Sequence, residues 1–402
     1  MSERKLKLER DSYILMSIYV IQAIVALFLN TFLSAYIFNL TDNNIVPISW
    51  FNIYTFAVLS LFYLIGAKWM THGHEMLVYR LSFVIDLILF SMIIYLKEQS
   101  VQYIWVLGLI WGIERGAYYF PQNLFSSVIL KDGQVIKFNG YQTALSSFAK
   151  IVMPIFLGWF IDLNSFISAS VFILALCIVK LILSMMLNYT SPRPKEKEFS
   201  FKVFSEFMFK RKKVRYALLI DFIRGFVTTA PDALIVLYVV YIFKTNLNLG
   251  IFTSVFALCT VVAHAVFGRY VKYNTLKPLL ILCGLTTFFG AAYFSFIPSK
   301  FSFILFNFIF AIGGYLIRTM TNINFYRVSQ NETEVGIYRA EYITIREIFL
   351  SIGKVLGCIL LIGVAMYGNK ELVKYLITLF SLFILVMSCM SADLSQKLTT
   401  DK

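Results

Sequence analysis

The chain has 402 residues, of which 59% are hydrophobic and only 14% charged, against about 25% charged residues in soluble domains. With 40 Phe, 24 Tyr and a mean hydropathy of +0.75, its apolar surface exceeds what a soluble fold of this length can bury. A soluble enzyme is excluded, and lipid must solvate most of the chain.

The short basic start (Arg4, Lys5, Lys7) runs into an apolar stretch from Tyr13 to Leu40, too long for a signal-peptide core, which reads as the first span. Further apolar segments follow at 47–67, 77–96, 102–128, 138–161, 165–188, 214–243, 248–268, 277–297, 301–326, 341–367 and 371–390. All twelve are predicted to be transmembrane helices, because lipid offers an unpaired backbone group no partner. The second six retrace the first six at an offset of about 204 positions, as expected of a duplicated six-helix unit. Tyr36-Ile37-Phe38 recurs as Tyr241-Ile242-Phe243, Lys150 is matched by Lys354, and Glu114 falls opposite Arg318. The predicted organisation is an all-α membrane protein of two pseudo-symmetric six-helix bundles, 1–188 and 214–402, joined by a basic cytoplasmic linker, 189–213. The linker carries Pro192, Pro194 and the run Lys210-Arg211-Lys212-Lys213. Its amphipathic stretch (Phe199, Phe201, Phe204, Phe207, Phe209) is expected to lie on the inner membrane surface and to touch lipid.

The net charge of +14 follows topology, so no nucleic-acid partner is inferred. With the N-terminus inside, only Lys97, Lys244, Lys300, Lys370 and Lys374 fall on the outer side. Arg115, Lys150, Lys180, Arg224, Arg318, Arg346 and Lys354 lie within spans, and every other Lys and Arg is cytoplasmic. That asymmetry places both termini in the cytoplasm of a multi-pass protein of the cell membrane. The sequons Asn188-Tyr189-Thr190 and Asn331-Glu332-Thr333 then face the cytoplasm and read as chance matches.

Twelve helices in two halves, a basic central loop and internal termini together resemble the major facilitator superfamily. Gly66 and Gly73 keep that family's spacing between the second and third helices, with Met70 at its acid position and His74-Glu75 following. In the second half Gly268 is followed by Lys272 at the acid position. On the fifth helix Pro154 and Gly158 fit the family's antiporter signature, while Met153 and Leu157 replace glycines. The resemblance implies a secondary active transporter, not an enzyme, whose first, fourth, seventh and tenth helices line a central cavity and which works as a monomer.

The polar residues agree with that expectation independently. A charge at a helix centre in lipid costs at least ~2.5–3.5 kcal/mol on insertion scales, so such residues point inward to a partner or a task. Asp221, Arg224, Gly225, Thr228 and Asp232 form one stripe on the seventh helix; Gly314, Arg318, Thr321 and Asn322 do so on the tenth. Gln22, Asn30, Thr31 and Ser34 share a face of the first helix, and Arg115, Tyr118, Tyr119 and Gln122 one of the fourth. The substrate site is expected among Gln22, Asn30, Arg115, Tyr118, Gln122, Lys150, Arg224, Arg318, Asn322 and Lys354. Arg318 could pair with Glu114 across the halves, and Asp221 with Arg224 on one helix. Lys180 reads as a residue near a helix end that snorkels to the surface; Asp86 is left to Arg80 or a neighbouring helix. Pro121, Pro154 and Pro231 should loosen their helices.

No nucleotide motif or phosphate-cradling glycine loop is present, so no cofactor is implied and an ion gradient is the energy source. A proton is expected to couple through Glu114, with Asp221 and Asp232 as further candidates. The half-related lysines lack half-related acids, which leans towards a small organic solute with an anionic group. Proton-driven efflux of amphipathic drugs and a non-transporting receptor or immunity protein are the alternatives. A lipid-modifying enzyme would need a catalytic cluster, and His72-His74-Glu75 falls short of one and of a metal site.

Overall fold

The computed structural model describes residues 10–70, 74–128, 134–187, 200–270, 276–331, 338–367 and 372–400, and every regular element among them is helical. In chain order they are α1 (Arg10–Leu40), α2 (Val46–Met70), α3 (Glu75–Leu96), α4 (Ile104–Val128), α5 (Gln134–Leu163) and α6 (Phe166–Met185). After the short α7 (Phe201–Phe209) come α8 (Lys212–Phe243), α9 (Asn246–Tyr270), α10 (Leu276–Phe296), α11 (300–331), α12 (Arg339–Tyr367) and α13 (Val373–Thr400). Eleven helical stretches among the described residues are long and apolar enough to cross a membrane. The remaining expected segment forms α4, a 25-residue helix interrupted by the charges Glu114 and Arg115. Large apolar side chains such as Ile65, Phe148 and Phe289 stand exposed around the outside, where the solvent is lipid.

Within the first six helices α4 packs on α2 and α3, α3 on α6, and α1 on α5 and α6; in the last six α10 packs on α13 and α8 on α12. Two seams join the sets: α2 against α12, and α5 against α9. Glycine makes the second seam close. A Cβ on Gly158 would stand 2.2 Å from the carbonyl oxygen of Asn246, and one on Gly250 2.1 Å from that of Pro154. Small residues let helix backbones approach where lipid gives no hydrophobic incentive to associate.

The two ends of the bundle differ. At the distal end Asp162, in the last turn of α5, accepts the Asn246 N–H at 3.1 Å and the Leu247 N–H at 2.8 Å, and so caps α9 from the other half. The last turns of α1 also pack on the second part of α8. At the opposite, linker end, the α5 face that turns away from lipid is uncovered: Gly140, Thr143 and Lys150 are exposed. Two to three turns beyond Lys150 on the same face, Leu157, Gly158 and Ile161 are buried. The space between the halves is therefore open at the linker end and sealed at the distal end.

At the linker end, α7 sets Phe207 edge-on against Tyr342 of α12, ring centres 6.1 Å apart, and the Ser200 N–H donates to Glu341 at 2.9 Å. Phe201 and Phe209 remain exposed. The linker prolines, Asn188-Tyr189-Thr190, most of the second sequon, and His72, Gly73 and Lys272 lie outside the described residues.

Candidate functional site: two polar clusters

The first cluster lies inside the first half. Lys180 of α6 donates to both Asp86 of α3 and the side-chain oxygen of Gln22 of α1, and the Gln22 amide donates to Glu114 of α4 at 3.0 Å. Asp86, Glu114 and Lys180 are all completely buried. The Lys180 ammonium also lies 4.8 Å from the centre of the Phe83 ring. This overturns the reading of Lys180 as a snorkelling residue: it reaches inward to Asp86, while Arg80 donates instead to the carbonyls of Ser184 and Leu187 at the end of α6. The signal was present, since Lys180 is the only charge in its helix. A second Glu114 oxygen has no hydrogen-bond partner among the described residues.

The second cluster belongs to the second half and borders the central space. Arg224 lies 3.2 Å from Asp221, the expected pair within α8, and Arg346 of α12 approaches the other Asp221 oxygen at 3.4 Å. Arg224 and Arg346 both donate to the Asn322 side-chain oxygen on α11. Arg318 grips Asp232 with two hydrogen bonds of 3.1 Å. The anticipated Arg318–Glu114 tie between the halves is not formed, because the nearer Asp232 offers a bidentate acceptor within the same half.

Backbone chemistry explains the position of Arg318. Helix α8 breaks at Val227–Thr228. Pro231, four residues on, has no N–H to bond the Val227 carbonyl, and Arg318 donates to that carbonyl at 3.1 Å. The predicted loosening at Pro231 is thus present and stabilised by a charged donor. Helices α4 and α5 continue through Pro121 and Pro154.

Two cations between these clusters have no acidic partner among the described residues. Arg115 of α4 stacks 4.6 Å from the Trp111 ring centre and 5.4 Å from that of Phe56, and Lys354 of α12 stands 4.0 Å from the same Phe56 ring. Glu347 precedes Lys354 by two turns on α12 and forms no ion pair within 4 Å among the described residues. The central space therefore gathers Arg115, Arg224, Arg318, Arg346 and Lys354 against Asp221, Asp232 and Glu347, with Lys150 exposed on the open side. Glu114, expected to offset these cations, belongs to the buried first cluster instead.

The other predicted residues divide. Asn322 is exposed to the open space and Gln122 half-buried. Asn30 is exposed, but its amide donates back to the Ala26 carbonyl at 2.7 Å. Gln22 is buried in the first cluster, and Tyr118 is buried against Tyr79, ring centres 5.4 Å apart. Neither borders the open space. No group of three His, Cys, Asp or Glu able to hold a metal occurs among the described residues.

Half-related helix bundles with polar interiors, joined by two seams and open at one end, define a membrane transporter. The family model described as the Major Facilitator Superfamily matches residues 15–353, and the chain belongs to that family. It is 22% identical over 340 residues to the uncharacterized protein YqgE of Bacillus subtilis (strain 168), covering 83% of this chain and 78% of that one. Among solved structures it resembles the POT family transporter PepTSo, with a TM-score of 0.70, 9% identity and coverage of 98% of this chain and 99% of that one. It also resembles the nucleoside transporter NupG, with a TM-score of 0.68, 13% identity and coverage of 98% and 99%. The protein is a multi-pass membrane protein of a secondary-transport family, not of an enzyme family.

Proposed function

We propose that this protein moves a small organic solute bearing an anionic group, by alternating access of the bundles 1–188 and 214–402, with a proton as the coupling ion. The observation that carries the anion is the charge balance of the central space, where Arg115 and Lys354 form no ion pair among the described residues and both stand over the Phe56 ring. Unneutralised cations become costly as the space closes and loses water, and an anionic solute would supply the missing charge.

Geometry separates the candidate proton carriers. Protonating Asp221 or Asp232 would break ion pairs to arginine. Protonating Glu114 breaks none among the described residues, where its side chain accepts only from the neutral Gln22 amide. Glu114 is therefore the proton carrier in this reading, linked through Gln22 to Lys180.

The test is uptake and efflux in proteoliposomes under an imposed proton gradient, with organic anions, sugars and amphipathic drugs as solutes. The expected result is gradient-driven movement of an anion, weakened by Lys354→Met and by Arg115→Gln. Glu114→Gln should abolish accumulation and retain equilibrium exchange. Undiminished accumulation by Glu114→Gln would remove the proton assignment. Movement of amphipathic cations alone would favour drug efflux.

A further inference from the structure

Arg115 and Lys354 come from opposite halves of the chain, and this bears on how the cycle is gated. Arg115 belongs to α4, which packs on α2 and α3; Lys354 belongs to α12, which packs on α8 and crosses α2 at the seam. Both lie about 20 Å from the linker-end termini of their helices at 1.5 Å per residue, and so at matching depth. Both face one ring, that of Phe56. The phenylalanine attracts each cation weakly through its π-face but carries no net charge to cancel either. Of the other cations of the central space, Arg224 and Arg346 are engaged with Asp221 and Arg318 with Asp232, while Lys150 of α5 stands exposed on the open side.

Two like charges on opposing bodies repel more strongly as the space between them narrows and loses water. The observed state fits that force. The linker end is open, with Thr143 and Lys150 exposed, while the distal end is sealed by the Asp162 cap on α9. We propose that Arg115 and Lys354 form an electrostatic gate split between the two halves, which holds the linker end open until an anion lodges between them. The anion neutralises the repulsion and allows α4 and α12 to converge, so that bound solute, rather than the empty carrier, closes. The proposal rests on the reading that these two residues receive the anionic group. It adds a consequence independent of the identity of the solute: removing one charge should close the gate with no solute present.

The experiment introduces Thr143→Cys as a reporter in a background without the five native cysteines and follows its labelling by a membrane-impermeant maleimide in proteoliposomes, from the linker side. With the original charges in place the reporter should label readily. Lys354→Met and, as a second variant, Arg115→Gln should slow labelling at least about fivefold without any ligand, as a shift in the population of open molecules. Lys354→Arg, which keeps the charge, should label like the parent. Size-exclusion profiles establish that each variant is folded. Labelling of both neutralised variants at the parental rate overturns the gate, as does equal slowing by Lys354→Arg. Succinate, glycerol 3-phosphate and benzoate are then tested for transport and for slowing of labelling in the parent. If these anions are transported yet neutralisation changes nothing, the anion-transport reading stands and the gate falls. If neutralisation closes the linker end while none of the anions moves or protects, the gate stands and the support for anion transport is withdrawn.

Discussion

The two halves use similar helices to solve different polar problems. In the first half, Asp86, Lys180, Gln22 and Glu114 form a chain closed to solvent, one residue from each of four helices. In the second half, Asp221, Arg224, Asn322 and Arg346 form a cluster at the edge of the open space, and Asp232 and Arg318 pair beside it. The half-related positions Glu114 and Arg318 make the divergence concrete: one accepts from a neutral amide, the other donates to an acid and to a broken helix. The two halves thus differ in interior chemistry at positions that correspond in the sequence. A closed network suits storing and releasing a proton; an arginine-rich one at the edge of the open space suits recognition of a solute.

The sharpest way to break this comparison is to remove Lys180. Lys180→Met leaves Asp86 buried without its cation, which should cost about 3–5 kcal/mol and appear as a large fall in melting temperature and in yield of folded protein. The double variant Lys180→Met/Asp86→Leu removes both charges and should recover most of the loss, because an apolar pair of similar volume is often as stable as a buried ion pair. Failure of the double variant to recover would mean that Lys180 is needed chiefly for Gln22 and the chain leading to Glu114.

Arg318 tests the second half in the same terms, with a smaller expected effect. Arg318→Gln leaves Asp232 without its bidentate partner and shortens the reach to the Val227 carbonyl. Its side chain is about one-tenth exposed, so the space admits some solvent, and a loss of about 1–3 kcal/mol is expected. Thermal unfolding measures it. An unchanged midpoint would show that the break in α8 is stable without its charged donor, and would leave Arg318 to solute binding alone.

The sequence made the helical architecture legible because lipid leaves so few alternatives: long apolar segments must be helices, and their order can be read directly. It also revealed the stripes on α8 and α11, since residues on one helix face keep a fixed spacing, and the Asp221–Arg224 pair lies within one stripe. Partners on different helices were legible only in part. Nothing in the spacing of Asp86 and Lys180 shows that α3 packs on α6, so a fully buried ion pair reads as one orphan and one snorkelling lysine. Arg318 was assigned across the halves by repeat position, but a proline-broken helix brought Asp232 within reach first. The capping of α9 by Asp162 was not anticipated either, because the two residues belong to different halves.

That cap offers the smallest and most selective perturbation. Asp162 is exposed, and its carboxylate accepts two backbone N–H groups and the Asn246 amide, at 3.1, 2.8 and 2.8 Å, all from the other half. Asp162→Ala removes a helix cap worth about 1 kcal/mol. Each half keeps its own helices, so the loss falls on the contact between halves and not on folding. A change of that size corresponds to roughly fivefold in the ratio of distal-closed to distal-open molecules. Ile161, buried on the adjoining face of α5, provides the reporter: in a cysteine-free background, Ile161→Cys should react with an impermeant maleimide from the distal side several times faster when Asp162→Ala is added. Asp162→Asn keeps an acceptor oxygen for the Asn246 N–H and should fall between the two. Equal labelling in all three would place the seal in the Gly158–Asn246 backbone contact alone. The cap would then be a by-product of close glycine packing, with no part in holding the distal end shut.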